Sequence, residues 1–220
     1  MFKSQLTSAH FILLFAISPI YGDFDYMQLV LTWPATFCYP KGFCQRIPPK
    51  NFTIHGLWPD KERQRLQFCA KDYKYVNFEG DIKSSLDHHW IQLRFNKEVG
   101  LKYQPLWHDQ YKKHGTCCSN LYDQTAYFLL AMRLKNKFDL LGTLRTNGIT
   151  PGRRYTFQRI HGAIKTVTQM DPDLKCVEHI KGVLELNEIG ICFTPNAESP
   201  YHCPQSHSCE KRGYTGILFR

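Results

Sequence analysis

Nine cysteines in a chain of 220 residues constrain the fold more than any other feature of the sequence. They stand at Cys38, Cys44, Cys69, Cys117, Cys118, Cys176, Cys192, Cys203 and Cys209. In a reducing cytosol so many thiols stay unbridged, whereas in an exported protein they become covalent staples. A zinc site of the ribbon type would ask for paired C-x2-C clusters, and the chain has none, so disulfides are the preferred reading. An odd count leaves one thiol over. The adjacent pair Cys117-Cys118 is the place to seek it, because vicinal cysteines seldom bridge each other. Spacing alone leaves the connectivity open.

The N-terminus supplies the compartment. Lys3 precedes an apolar run from Phe11 to Ile20, and Tyr21-Gly22 places a small residue before the acidic, aromatic stretch Asp23-Phe24-Asp25-Tyr26. This is the layout of a secretory signal cleaved near Gly22, so residues 1–22 are expected to be removed and residues 23–220 to form the mature protein. The apolar run is about half of the ~20 residues that a membrane span needs, and no second candidate follows, so no membrane anchorage is expected. The chain carries 28 Lys+Arg against 19 Asp+Glu, a formal net charge of +9. Of those charges only Lys3 leaves with the leader. An exported protein this basic attracts polyanions, which admits RNA without selecting it over acidic cell-wall polymers or anionic membranes. The densest basic stretch, Lys61-Glu62-Arg63-Gln64-Arg65, is mixed in sign and reads as a solvated loop.

With 43% hydrophobic residues the chain is neither disordered nor fibrous. It shows no internal repeat, low-complexity tract or long linker, so residues 23–220 read as one domain. Tyr26 to Trp33 is apolar and β-branched enough for a buried strand closed by Pro34, and Phe52 to Pro59 is a second segment stopped by proline. From an N-cap at Ser119 or Asn120, Tyr122, Ala126, Leu129, Leu130, Leu134 and Phe138 recur at helical spacing. A further helix is expected over Phe157 to Thr168, with Ile160, Ala163, Ile164 and Val167 on one face. Val183 to Phe193 alternates except at Asn187-Glu188, which suggests two strands joined by a turn. Helices in the middle and strands at both ends make the fold class α+β, with a central antiparallel sheet.

Two short segments carry chemistry. Each of Ile54-His55-Gly56-Leu57-Trp58-Pro59 and Trp107-His108-Asp109-Gln110-Tyr111-Lys112-Lys113-His114-Gly115-Thr116-Cys117-Cys118 places a histidine directly before a glycine, which bares the imidazole and lets backbone or substrate approach closely. Taken singly, either histidine is as readily a structural residue as a catalytic one. Together, in a secreted basic protein, they suggest an acid and a base. RNA carries its own nucleophile, the 2′-hydroxyl. Its cleavage needs a base for that proton, an acid for the departing 5′-oxygen and a cation beside the phosphorane, which two histidines and Lys113 supply without a cofactor. Trp58 offers a face on which a base can stack. His88, His89 and His108 invite a metal reading with His114, but no ligand set of the H-E-x-x-H kind is present, so no metal is expected. His161, His179, His202 and His207 read as surface or structural residues.

The segments FTIHGLWP at Phe52–Pro59 and KHGTCC at Lys113–Cys118 resemble the two active-site signatures of the ribonuclease T2 family, and more narrowly those of the plant S-ribonucleases. The similarity extends from YMQLVLTWPATFC at Tyr26–Cys38 to the C-terminal cysteines. It implies an endoribonuclease that forms 2′,3′-cyclic phosphates, with His55 as general acid, His114 as general base and Lys113 stabilising the transition state. Gln92, Leu93 and Leu106 would lie near the bound base or ribose. It also implies the bridges Cys38–Cys44, Cys69–Cys117, Cys176–Cys209 and Cys192–Cys203, with Cys118 free. The second signature departs from the wider family, where His-Glu-Trp often stands in place of Asp109, Gln110 and Tyr111. Gln110 can donate a hydrogen bond to a phosphate oxygen but cannot exchange a proton, so it counts in the catalytic set only as a donor. Asp109 puts a negative charge where a third histidine would bind phosphate. Thr32 replaces a Gln that contacts a base in relatives.

Asn51-Phe52-Thr53 is the only sequon of the mature chain, so Asn51 is expected to carry an N-glycan, and its nearness to His55 predicts a place on the cleft rim. The resemblance further implies a monomer in the extracellular matrix of the style, recognised by pollen F-box proteins through a surface such as Lys61 to Glu79. Two alternatives keep the fold: a defence or phosphate-starvation ribonuclease without allele recognition, and a basic binding protein that has lost catalysis. Intact His55, Lys113 and His114 speak against the second.

Overall fold

The computed structural model describes residues 23–206, 208–210 and 212–220. The proposed leader, residues 1–22, and His207 lie outside the described residues. The elements run β1 (Tyr26–Thr32), α1 (Pro34–Phe37), β2 (Thr53–Asp60), α2 (Gly80–His89), α3 (Lys97–Tyr103), α4 (Pro105–Lys113), a 3-10 turn (Gly115–Cys118), α5 (Gln124–Asn136), α6 (Leu140–Thr146), β3 (Arg153–Tyr155), α7 (Phe157–Thr168), β4 (Asp173–Ile180), β5 (Val183–Phe193), β6 (Pro200–Tyr201) and β7 (Ile217–Phe219). The class is α+β. The strands form one sheet in the order β2-β1-β5-β7-β3, with β4 and β6 also paired to β5. It is antiparallel throughout except for β5 and β7, which run parallel.

β1 is buried along its whole length, as its apolar run requires. The late strands differ from expectation. Val183–Phe193 is one unbroken strand, with β4 beside it. Asn187 and Glu188 do not turn the chain: the Asn187 carbonyl accepts the Trp33 N–H at 2.8 Å, and Glu188 is directed into the site described below. In a strand whose polar residues have tertiary partners, polarity is a poor turn signal.

The mid-chain helix starts later than its apolar spacing suggests. Its N-cap is Asp123, whose carboxylate accepts the Ala126 N–H, a better cap than Ser119 or Asn120 because its anion also meets the helix dipole. Leu129 therefore faces outward, as does Val167 at the end of α7, where Thr168 is buried instead. On the inner face Tyr127, Phe128, Leu130, Ala131 and Leu134 join Trp90, Trp107 and the sheet residues Leu29, Leu31, Ile54 and Leu57 in one core. Tyr127 donates its hydroxyl to the Leu57 carbonyl at 2.8 Å, fixing α5 to β2.

The four expected disulfides are present, Cys38–Cys44, Cys69–Cys117, Cys176–Cys209 and Cys192–Cys203. Cys118 is free and fully buried, and burial pushes its thiol up to about 12. A thiol held so firmly protonated is no nucleophile.

Candidate active site

His55 lies on β2 at a break in register. Val30 of β1 pairs with Gly56 and Leu31 pairs with Ile54, so His55 is the extra residue of a β-bulge. A bulge turns one side chain out of the regular alternation, which is how strands re-aim residues at sites. The carbonyl of His55 accepts Trp90 Nε1–H at 2.9 Å, which anchors the bulge to the core. Its Nδ1 sits 2.5 Å from Oε1 of Glu188.

Glu188 is buried and pairs in register with Thr32 on β1 and Lys175 on β4. Thr32 donates its hydroxyl to Glu188 Oε1 at 3.3 Å, and Lys175 Nζ stands 3.9 Å from Oε2. Burial pushes the Glu188 carboxyl up, but the hydrogen bond from His55 and the charges of His55 and Lys175 outweigh it and hold the group below the usual range. Neither Glu188 nor Lys175 belongs to a recognisable motif. The signal available in the sequence was a pair of acids, Glu185 and Glu188, inside a largely apolar strand.

His114 arrives from the other side, as the residue that closes α4 and opens the 3-10 turn. Its N–H donates to the Gln110 carbonyl at 2.9 Å. The ring is buried, and its Nδ1 has no hydrogen-bond partner. Burial first, and then the charges of Lys113 and His55, lower its pKa from 6.5 to about 3, so the imidazole is neutral at any mildly acidic pH.

Trp58 joins the two. Its indole stacks on the His114 ring at a centroid distance of 5.0 Å and 22°, and meets the His55 ring edge-on at 5.3 Å and 77°. Lys175 Nζ lies 4.3 Å from the indole centroid, and Trp58 Nε1 donates to Gln110 Oε1 at 3.1 Å. The glycine after each histidine has a more specific reason than exposure of the imidazole. A Cβ on Gly56 would fall 2.1 Å from Trp58 Nε1 and 2.3 Å from Gln110 Oε1, and one on Gly115 would fall 2.3 Å from Tyr111 Cδ2. Both glycines admit a neighbouring side chain, not the substrate.

His55, His114, Lys113, Gln110, Trp58 and Lys175 line one cleft of about 360 Å³. Lys61 to Arg65 and Gln67 also line it, so the mixed-charge stretch is part of the site and not a free loop. Lys61 pairs with Asp23 at 2.7 Å, the Glu62 N–H donates to Asp25 at 2.9 Å, and the Phe68 N–H donates to the Lys113 carbonyl at 2.8 Å. The Cys69–Cys117 bridge closes the same connection. Farther along, Tyr73 bonds His108 at 2.8 Å and Tyr75 donates to Gln104 at 3.1 Å, giving His108 a structural partner.

Gln92, Leu93, Leu106, Thr32 and Asp109 line a second cavity of about 290 Å³, which shares His55 and Gln110 with the first. Within it Gln92 is buried, its amide donating to the Gly100 carbonyl at 2.6 Å and accepting the Leu106 N–H at 3.0 Å. Gln92 thus braces the wall, and its side chain is committed inward. Asn51 is exposed but lies away from both cavities, beside Lys135, Asn136 and Asp139 at a separate hollow, so the expectation of a place on the cleft rim is corrected. Among the described residues no group of three or more His, Cys, Asp or Glu is placed to hold a metal ion, and no helix is long and apolar enough to cross a membrane.

The Ribonuclease T2 family profile matches residues 24–203. With that match and this site, the chain belongs to the ribonuclease T2 family and is an endoribonuclease of that type. Within the family it is similar to Ribonuclease S-2 of Solanum tuberosum, 67% identical over 223 residues and covering 100% of both chains. It is also similar to Ribonuclease S-3 of Petunia hybrida, 61% identical with the same coverage. The solved structure of the gametophytic self-incompatibility associated SF11-RNase of Nicotiana alata superposes with a TM-score of 0.87 at 56% identity, over 90% of this chain and 100% of that one.

Proposed function

We propose that the protein is a secreted, metal-independent ribonuclease that cleaves RNA by transphosphorylation and serves as a pistil determinant of gametophytic self-incompatibility. The observation that carries the chemistry is the contrast between its two histidines. His114, desolvated and neutral, takes the proton of the 2′-hydroxyl as that oxygen attacks phosphorus. His55, whose doubly protonated ring has Glu188 for a counter-ion, gives a proton to the 5′-oxygen as the P–O5′ bond breaks. The products are a 2′,3′-cyclic phosphate and a 5′-hydroxyl, and water then slowly opens the cycle to a 3′-phosphate. Lys113 stabilises the charge on the phosphorane oxygens, and Gln110 supplies a neutral donor there. Bases lie in the two cavities on either side of His55, one on Trp58 and one against Leu93 and Leu106.

The biological half of the reading rests on the likeness to S-ribonucleases of Solanum, Petunia and Nicotiana. In that role the chain is exported to the stylar matrix after removal of residues 1–22, carries a glycan on Asn51, acts as a monomer and degrades the RNA of self pollen tubes. The wall from Lys61 to Glu79 is the surface offered to pollen F-box proteins. The test of the chemistry is RNA breakdown in EDTA by wild type, His55→Asn and His114→Asn. Each variant is expected to lose on the order of 10³-fold in rate. Full activity in either variant overturns the mechanism, and loss of wild-type activity in EDTA overturns the metal-free claim.

A further inference from the structure

We propose that Glu188 is a positioning residue for the cleavage reaction, fixing His55 with its proton on Nδ1 so that Nε2 is the nitrogen presented to the leaving oxygen. The inference rests on the reading of His55 as the general acid. It adds the group that makes that role geometrically definite.

Three observations converge. First, His55 is the bulged residue of β2, freed from strand alternation and therefore in need of another constraint on its ring. Second, the 2.5 Å contact is made through Nδ1, which leaves Nε2 as the only ring nitrogen available to substrate. Third, the carboxylate is itself immobilised. It is buried on the central strand, flanked in register by Thr32 and Lys175 on the two neighbouring strands, and both give it polar contacts. The charged groups around it are His55 on β2, Lys175 on β4 and Asp173 on β4, whose Oδ2 is 3.8 Å from Lys175 Nζ. Lys175 therefore divides its charge between two carboxylates, while His55 has Glu188 alone among the ion pairs described.

The proton balance is simple. The Nδ1–H stays on the ring and hydrogen-bonded to Glu188 throughout. The Nε2 proton moves to the 5′-oxygen, leaving a neutral imidazole, and returns from water when the cyclic phosphate is opened. Glu188 remains ionised and never meets the substrate.

The experiment uses the full mature chain and two substrates: RNA, and a uridine 3′-phosphate ester of 4-nitrophenol, whose leaving group departs without protonation. On RNA, Glu188→Gln is expected to lower kcat about 10- to 100-fold with KM changed less than about threefold, because the ring that gives the proton has lost the partner that orients it. On the nitrophenyl ester the defect should largely disappear, as it should for His55→Asn. If His55→Asn is rescued by the ester and Glu188→Gln is not, the role of Glu188 is overturned while His55 stands. If His55→Asn is not rescued, the acid reading falls and this inference with it. Wild-type kinetics of Glu188→Gln on RNA also overturn it. Should that variant fold poorly, Thr32→Val, which removes only the hydroxyl that holds the carboxylate, must show the same pattern at about two- to fivefold. An equal defect on both substrates would overturn the proposal.

Discussion

His55 and His114 face one cleft from opposite kinds of scaffold. The first is set on a strand bulge, partly open to solvent, and tied through Nδ1 to a buried carboxylate. The second closes a helix, is buried, and has an Nδ1 that nothing contacts by hydrogen bond. The same side chain is thereby given two characters. A carboxylate at one nitrogen fixes the orientation of the His55 ring, whereas burial without a partner penalises the charged form of His114, by about 1.4 kcal/mol for each pKa unit. Under the proposed mechanism an acid and a base share one cleft in different surroundings, and Trp58 touches both rings and keeps them in one frame.

That contrast can be broken most severely at Gly56. A methyl there collides with both Trp58 Nε1 and Gln110 Oε1, so Gly56→Ala should displace the indole that spans the two rings. Activity is expected to fall more than about tenfold, with a loss of roughly 1–3 kcal/mol in urea unfolding. Unchanged kinetics would mean that Trp58 does not hold the pair together.

The next effect sharpens the comparison through stability. Burial holds the folded pKa of His114 at about 3, against 6.5 for a free imidazole. The unfolded chain therefore binds its proton first, and the contribution of the neutral ring is complete above pH 6.5 and lost as pH falls towards 3. Wild type should lose up to about 1.4 kcal/mol per pH unit in that window from this residue. In His114→Asn, chemical unfolding measured from pH 7 to pH 4 should show a shallower decline; an identical slope would show that His114 titrates normally. The smallest effect is expected at Cys118, three residues after the Gly115 carbonyl that its thiol contacts at 3.3 Å. Cys118→Ala should cost about 1 kcal/mol for a small buried side chain and leave the rate on RNA within about twofold. A larger fall in rate would bring the thiol into the chemistry.

Much of this was legible in the residues themselves. The two histidine segments stand out because each sets a histidine before a glycine within a short, unusual run, IHGLWP and KHGTCC, and the structure brings His55, Trp58, Lys113 and His114 into one cleft. The free Cys118 and the four bridges match the pattern implied by the family likeness. Less legible were features whose meaning lies across the sheet. Glu188 looked like a turn residue because its partners Thr32, His55 and Lys175 are distant in sequence and meet it only through strand pairing. Lys175 is one lysine among many until β4 carries it to the indole of Trp58. Asp123 was missed as a cap since two other good caps precede it, and Lys61 to Arg65 looked like ordinary solvated surface until the ties of Lys61 to Asp23, Glu62 to Asp25, Leu66 to Asp60 and Phe68 to Lys113 were in place.

Those ties have an evolutionary consequence. The segment that walls the cleft is fastened at its far end by the Cys69–Cys117 bridge and the Phe68–Lys113 hydrogen bond, and at its near end by Asp60, whose carboxylate accepts the Leu66 N–H at 2.5 Å. Most of these fastenings use backbone groups or cystine sulfur and are indifferent to the side chains between them. Selection can rewrite the exposed lettering of this wall, one residue at a time, while the helix that carries Gln110 and Lys113 keeps its place.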